Sequence, residues 1–250
     1  MILFGDYHTH TIYSHGKGSI LENAQIAKEK GLFEIAVTDH GFSHILYGAN
    51  RKDLTKMHEE AKNAAEKTGV RVLVGIESNL ISHNGDIDVQ PFDLDNLDIL
   101  ICGFHSFAKG KPISQQFTLM GRNSVSSIWK PTQRTIEKNT DAYLKMLDKY
   151  PVDIISHLNS RCQTNTLSVA KAARDKGTYI ELNSRRICFT AEEMEAMVAE
   201  KVKFVLSSDA HIPQNVGECN LGLNFALKHK IPTELIANLD KLPSFHKENR

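Results

Sequence analysis

The sequence predicts an α/β protein built as a single barrel of seven parallel strands with helices outside, and three observations point there. Short apolar runs rich in β-branched residues recur seven times, each closing on a polar cluster. Segments with helical spacing and Ala, Lys and Glu content alternate with them. That alternation implies a parallel sheet covered by helices. Neither a linker nor a low-complexity tract interrupts the repeat, so residues 1–250 read as one domain. The alternation alone leaves an open doubly wound sheet as the rival architecture.

In order, the first apolar run is Ile2 to Tyr7, followed by a helix from Ile20 to Lys30 that Gly31 stops. The second run is Phe33 to Thr38, and the helix Leu54 to Thr68 ends at Gly69. Glycine just past a helix accepts the left-handed backbone that closes the last turn. Val70 to Ile76 is the third run. The stretch Asn79 to Val89 then reads as a small hairpin turning at Asn84-Gly85. After the fourth run, Leu97 to Gly103, comes a basic connection at about 106–135 without clear periodicity. Connections of that length commonly serve as lids or binding loops. A helix from Ile136 to Tyr150 leads to the fifth run, Val152 to Ser156, and Leu167 to Lys176 is a helix stopped by Gly177. Tyr179 to Leu182 follows. Thr190 is then placed to cap the helix Ala191 to Lys201, with Glu192 and Glu193 in its first turn. Phe204 to Ser207 and the helix Asn220 to Lys230 complete the repeat.

Composition narrows the class. With 250 residues, 41% hydrophobic and 24% charged, the chain has the profile of a globular protein, which excludes disordered, collagenous and coiled-coil readings. Thirty basic residues balance thirty acidic ones, so net charge points to neither nucleic acid nor membrane. No run approaches the roughly 18 apolar residues of a membrane span, and the N-terminus lacks a basic-then-apolar signal. Cys102, Cys162, Cys188 and Cys219 are scattered, none in a Cys-x-x-Cys pair, as expected of reduced thiols in the cytoplasm.

The chemistry lies in the twelve histidines. His8 and His10 close the first run, His40 follows the second, Glu77 ends the third and His105 follows the fourth. His157 follows the fifth, and Asp209 with His211 the seventh. In a parallel barrel all strand C-termini open on one face, so these residues converge there. His-x-His on an extended strand turns both rings to one side, and His15 lies in a loop over the same mouth. Nitrogen and carboxylate donors without thiolates suit Zn, Mn or Fe in a hydrolytic site. Nine candidate ligands exceed one ion, so two or three ions are expected, with Glu77 the best bridge. Asp39, and more weakly Asp6 at an inward-facing position, are expected to orient ligands. His44 and His83 lie on mouth-side loops, while His58, His229 and His246 read as surface.

His8-Thr9-His10, Thr38-Asp39-His40-Gly41, Gly75-Ile76-Glu77, Gly103-Phe104-His105, Ile155-Ser156-His157 and Ser208-Asp209-Ala210-His211 resemble the PHP family, named for polymerase and histidinol phosphatase. The likeness runs in order from Asp6 to about His211 and is greatest to the stand-alone YcdX-type phosphatases. It implies a distorted seven-stranded TIM-like barrel with a trinuclear site, usually zinc, with manganese or iron also used. Carried over, one ion takes His8, His10, Glu77 and Asp209. A second shares Glu77 and takes His105 and His157, and the third takes His15, His40 and His211. Two features depart from the family. Leu158 stands where proline often follows the fifth-strand histidine, and the 106–135 connection is longer.

The expected activity is metal-dependent hydrolysis of small phosphomonoesters by a hydroxide shared between metals, with Glu77, Asp209 and His211 as the catalytic candidates. From Ile99 to Ile136 there is no acid, while Lys109, Lys111, Arg122, Lys130 and Arg134 are basic, and Trp129 lies among them. Arg161, Arg185 and Arg186 are candidates for substrate phosphate, since arginine binds it bidentately. Histidinol-phosphate hydrolysis is the same chemistry with a different pocket. An exonuclease or phosphodiesterase, an amidohydrolase-type deacylase and a metal-binding regulatory module are the other classes. The full ligand set argues against the last, and the absence of a strand-end lysine against the deacylase. No membrane partner is expected, and net charge offers no long nucleic-acid track. A homo-oligomer is left open.

Overall fold

The start and stop signals in the sequence set the element boundaries. The computed structural model describes residues 1–110, 112–124 and 130–249. Its strands are β1 (Gly5–Thr9), β2 (Glu34–His40), β3 (Arg71–Asn79), β4 (Ile99–Gly103), β5 (Ile154–Ile155), β6 (Tyr179–Asn183) and β7 (Phe204–Ser207). Around them lie α1 (Ile20–Glu29), α2 (Leu54–Thr68), the short α3 (Arg122–Ser124), α4 (Gln133–Lys149), α5 (Thr166–Lys176), α6 (Ala191–Ala199) and α7 (Asn220–Lys228). Gly69 and Gly177 take φ of 78° and 77° at the ends of α2 and α5, a conformation other residues adopt at a cost. Thr190 and Glu193 form a reciprocal capping box at the start of α6.

The strands pair in parallel in sequence order, β1 to β7, and the sheet closes into a TIM-like barrel. Near the mouth Thr9 bridges Ala210 directly, with His10 N donating to Ala210 O at 2.8 Å. At the other end a side chain bridges the two edge strands. Asn238 lies between them, its Nδ2 donating to Gly5 O (2.8 Å) and Leu206 O (2.7 Å) while its Oδ1 accepts from Leu206 N (3.0 Å). The backbone around it bonds both sides as well, Ala237 N donating to Phe204 O (2.8 Å) and Phe4 N to Asn238 O (2.9 Å), so this segment closes the gap. This also moves β1 from its expected start: Leu3 bridges Leu239, so pairing with β2 begins at Gly5.

Two apolar layers follow from strand alternation. Ile35, Val37, Val74 and Ile76 face the helices, while Ala36, Leu73, Ile101, Ile154, Tyr179 and Val205 fill the inside with Tyr7 and Phe245. Phe245 meets Tyr7 edge-on at 4.9 Å and stops the end opposite the mouth.

β1 carries a bulge. Asp6 pairs with Ile35 but Thr9 pairs with Val37, three steps against two. The extra residue reverses the alternation, so Tyr7 belongs to the inner layer and yet His8 and His10 also turn inward. Asp6, expected to face inward, instead accepts from Ser208 Oγ (2.5 Å), Ser208 N (3.1 Å) and Gly217 N (2.8 Å). It anchors the backbone that carries Asp209.

The described part of the 106–135 connection is more ordered than its pattern suggests. Ala108 pairs antiparallel with His44, a π-helical turn spans Gln116–Gly121, and α3 follows. Lys111 and Trp129 lie outside the described residues. No helix among the described residues is long and apolar enough to cross a membrane.

Candidate metal centre

The predicted ligands arrive at the mouth from six of the seven strands, β1 supplying His8, His10 and the loop that carries His15, and β7 leading to both Asp209 and His211. Glu77, fully buried in β3, is the centre. Its Oε1 lies 2.7 Å from His157 Nε2 and 3.3 Å from His8 Nε2. Its Oε2 lies 3.0 Å from His40 Nδ1, 3.3 Å from His105 Nε2 and 3.8 Å from His10 Nε2. One carboxylate thus faces five imidazoles, two on one oxygen and three on the other. Asp209 Oδ1 lies 3.4 Å from His10 Nε2 and 3.4 Å from His211 Nδ1.

Three trios have donor atoms all within 4.8 Å of one another: His8, His10, Asp209; His10, His40, His211; and His40, Glu77, His105. Seven of the nine predicted ligands belong to them. His15 and His157 do not, although both line the mouth cavity of about 390 Å³. His157 stays on Glu77, and His15 stacks on Tyr47 with its ring 4.7 Å from that of His211. His40 joins Glu77 and His105 as well as His211, a wider reach than the resemblance implies.

The rings are held from behind, as metal-binding imidazoles usually are. Glu181, buried in β6, takes the Nδ1 proton of His8 on Oε1 (2.7 Å) and accepts from His157 N (2.6 Å) and Asn183 Nδ2 (3.0 Å) on Oε2. When His8 is neutral this keeps its proton on Nδ1, so Nε2 is the nitrogen it offers to a cation. Asn79 Oδ1 lies 2.7 Å from His105 Nδ1, and Asp88 fixes Asn79 through Asn79 Nδ2 at 2.6 Å. Ser156 Oγ donates to Glu77 (2.9 Å). Gly103 has no room for a side chain: a Cβ would come within 2.3 Å of Ser156 Oγ and 2.8 Å of His157 Cε1. His157 and Asp209 sit at φ of 31° and 54°, strained for residues other than glycine.

Asp39 acts through the loop backbone. Its carboxylate binds Thr11 N, Thr11 Oγ1 and Ser14 Oγ (2.8, 2.6 and 2.5 Å). It fixes the loop leading to His15 instead of a histidine ring. Glu181 was not foreseen; the one signal for it is a lone acid alternating inward within the buried run Tyr179-Ile180-Glu181-Leu182-Asn183.

Charge favours a cation. Burial opposes ionisation of Glu77, but the His105 and His8 rings hold its carboxyl well below the usual range. Asp209 is held low in the same way, by His8 and His10. His8 is raised despite burial because Glu77, Glu181 and Asp209 surround it. Burial lowers His10 and His105 and pushes His211 down to about 4, which leaves their nitrogen lone pairs free at neutral pH. His8 Nε2 and His10 Nε2 face each other at 3.2 Å, and His10 Nδ1 is buried with no hydrogen-bond partner among the described residues. Converging lone pairs and buried carboxylates fit divalent cations.

The arginines divide between the centre and its rim. Arg185 Nη1 reaches His211 Nδ1 (2.9 Å) and Asp209 Oδ1 (3.5 Å). Arg161 and Arg186 line the mouth cavity beside it. Of the basic residues in the 106–135 connection, the described Lys109, Arg122, Lys130 and Arg134 are not among its lining. His44 lines the cavity and stacks on His40, with ring centroids 5.0 Å apart. His83 instead pairs with Gln115 away from the mouth.

The chain is also similar to known proteins. The sequence is 31% identical to a probable phosphatase of Thermoanaerobacter sp. (strain X514), covering 100% of this chain and 97% of the relative. It is 30% identical to a probable phosphatase of Caldanaerobacter subterraneus subsp. tengcongensis, covering 98% and 91%. Among solved structures, the fold resembles the histidinol phosphate phosphatase of Lactococcus lactis subsp. lactis Il1403, complexed with zinc, L-histidinol and phosphate. That likeness has a TM-score of 0.62 at 15% identity and covers 98% of this chain and 97% of the other. The PHP domain family matches residues 6–216, most of the chain, and the protein belongs to that family.

Proposed function

We propose that this protein is a metal-dependent phosphatase of small phosphomonoesters. The observation that carries the reading is Glu77, a buried carboxylate whose two oxygens each face a separate set of imidazoles. Its probable-phosphatase relatives support the same reaction class. His8, His10, His15, His40, Glu77, His105, His157, Asp209 and His211 would hold three ions, zinc or else manganese or iron, since the donors are nitrogen and oxygen. When bound, such cations supply a hydroxide at neutral pH and neutralise charge on the phosphate.

The chain's own residues do the rest. Glu77 and Asp209 contribute the negative charge of the site, and Glu181 and Asn79 hold His8 and His105 in the tautomers that present Nε2. Arg185, beside Asp209 and His211, is placed to take a phosphate oxygen next to the ions. Asn183 positions it by accepting from Arg185 N (2.8 Å) while donating to Asp209 Oδ2 (3.2 Å). The four free cysteines fit a reducing cytoplasm.

The test is hydrolysis of a phosphomonoester and phosphodiester panel, with metal quantified on the same sample. Monoester turnover with two to three ions per chain is expected, and His10→Ala or Glu77→Ala should remove metal and activity together. Cleavage of diesters alone would transfer the assignment to a phosphodiesterase. Full metal content in Glu77→Ala would refute the bridging role.

A further inference from the structure

Arg185 and Arg186 are neighbours in sequence whose side chains part. Asn183 Oδ1 accepts from both backbone N–H groups (2.8 and 3.2 Å), which fixes the turn. From it Arg185 runs to Asp209 and His211, whereas Arg186 Nη1 runs the other way to Ser160 Oγ (3.3 Å). Beyond Arg186 opens a second cavity of about 570 Å³ between the loops after β5 and β6. Ser160, Arg161 and Arg186 line both this cavity and the mouth, so the two spaces adjoin.

The second cavity has a defined wall and chemistry. Asn159, at φ 67°, ties its turn together: its Oδ1 accepts from Thr164 N and Thr164 Oγ1 (both 2.9 Å), and its Nδ2 donates to Thr166 Oγ1 (2.6 Å). The lining is hydroxyl, amide and guanidinium, with Cys188 its least polar member and no aromatic ring. Glu193 is its one acid, and both carboxylate oxygens are engaged. Oε2 accepts from Thr190 N (2.8 Å) and Oε1 from Thr166 Oγ1. Two guanidinium groups therefore face the space against a single carboxylate already committed to the wall.

We propose that this cavity binds a second anionic group of the substrate, so that the preferred substrates are polar phosphomonoesters carrying a further phosphate or carboxylate. The inference rests on the phosphatase reading and deepens it. The ester phosphate lies by the ions and Arg185, a polar scaffold crosses at Ser160, and the second anion pairs with Arg161 and Arg186. Arginine suits either anion because its planar fork matches both.

The test uses the metal-loaded protein and matched substrate pairs: phosphoglycerate against glycerophosphate, and fructose bisphosphate against fructose monophosphate. The first pair adds a carboxylate and the second a phosphate, so the two arms separate the sources. A charge-assisted bidentate contact should raise kcat/KM for the doubly anionic member by roughly ten-fold or more. In Arg186→Gln and Arg161→Gln that ratio should collapse towards one. Calorimetric titration of inorganic phosphate should also find two sites per chain, the second lost in the arginine variants. Ratios near one in the wild type, or ratios unchanged in the variants, overturn the proposal. If no ester at all is hydrolysed, the phosphatase reading fails, and the phosphate titration alone then decides the cavity: one site refutes it, two sustain it.

Discussion

Replacing Glu181 with glutamine tests whether the histidines are set by what stands behind them. The carboxylate makes three hydrogen bonds: His8 Nδ1 on one oxygen, and His157 N and Asn183 Nδ2 on the other. A glutamine amide has one oxygen. If that oxygen keeps His157 N and Asn183 Nδ2, the amide NH2 meets His8 Nδ1 and drives the proton of a neutral imidazole to Nε2, the nitrogen that would otherwise be offered to a cation. If the amide flips, its NH2 opposes two N–H donors and leaves them buried and unpaired, at about 1–3 kcal/mol each. The first arrangement costs less, so the loss should appear as metal affinity. Removing such an outer partner typically lowers affinity 10- to 100-fold, about 1.4–2.8 kcal/mol. Competition against a chromophoric zinc chelator measures it, with circular dichroism as the fold control. Wild-type affinity in a folded Glu181→Gln protein would refute the reasoning.

Three further outcomes follow from the same geometry. Arg185→Ala should raise KM for phosphomonoesters by roughly ten-fold, the worth of one charge-assisted contact, with metal content unchanged by elemental analysis; metal loss would make it a structural residue. Gly103→Ala inserts a Cβ where Ser156 and His157 already sit. It should cost about 1–3 kcal/mol in urea unfolding, as overpacking does, and lower metal content through His157. Chelation should leave a folded protein that melts cooperatively but at lower temperature, because an ion bound at 100 times its Kd adds about 2.7 kcal/mol. Loss of secondary structure on chelation would contradict it.

The barrel was legible because alternation of short apolar runs with helices admits few architectures, and the ligand set because each member sits where a strand stops. What alternation cannot see is a bulge. A period of two places Asp6 with His8 on one face, yet the extra step between Asp6 and Thr9 puts Tyr7 in the inner layer and Asp6 on Ser208 and Gly217. Closure was invisible for a related reason. Asn238 acts on Gly5 and Leu206, partners far from it in sequence, and nothing around Asn238 marks it. Glu181 and Asn79 read as ordinary strand residues until neighbouring strands bring His8 and His105 against them. In the 106–135 connection, basic charge suggested a substrate lid. Its described basic residues are absent from the cavity lining, and the cations at the mouth come from Arg161, Arg185 and Arg186.

The fold itself holds two of the ligands. His157 and Asp209 occupy a backbone region that costs a non-glycine residue about 1–3 kcal/mol, and each is held there by groups outside the ion-facing surface. His157 N donates to Glu181 Oε2, and Asp209 Oδ2 accepts from Asn183 Nδ2. Asn183 also donates to Glu181 and accepts from the backbone of Arg185. One side chain therefore ties the His8 and His157 side of the centre to Asp209 and to the arginine that meets substrate. A change in β6 should consequently reach metal binding and substrate binding together, whereas a change confined to the guanidinium of Arg185 should reach substrate alone. That difference separates a site assembled by its metals from one assembled by its barrel, and the bonds of Asn183 and Glu181 favour the barrel.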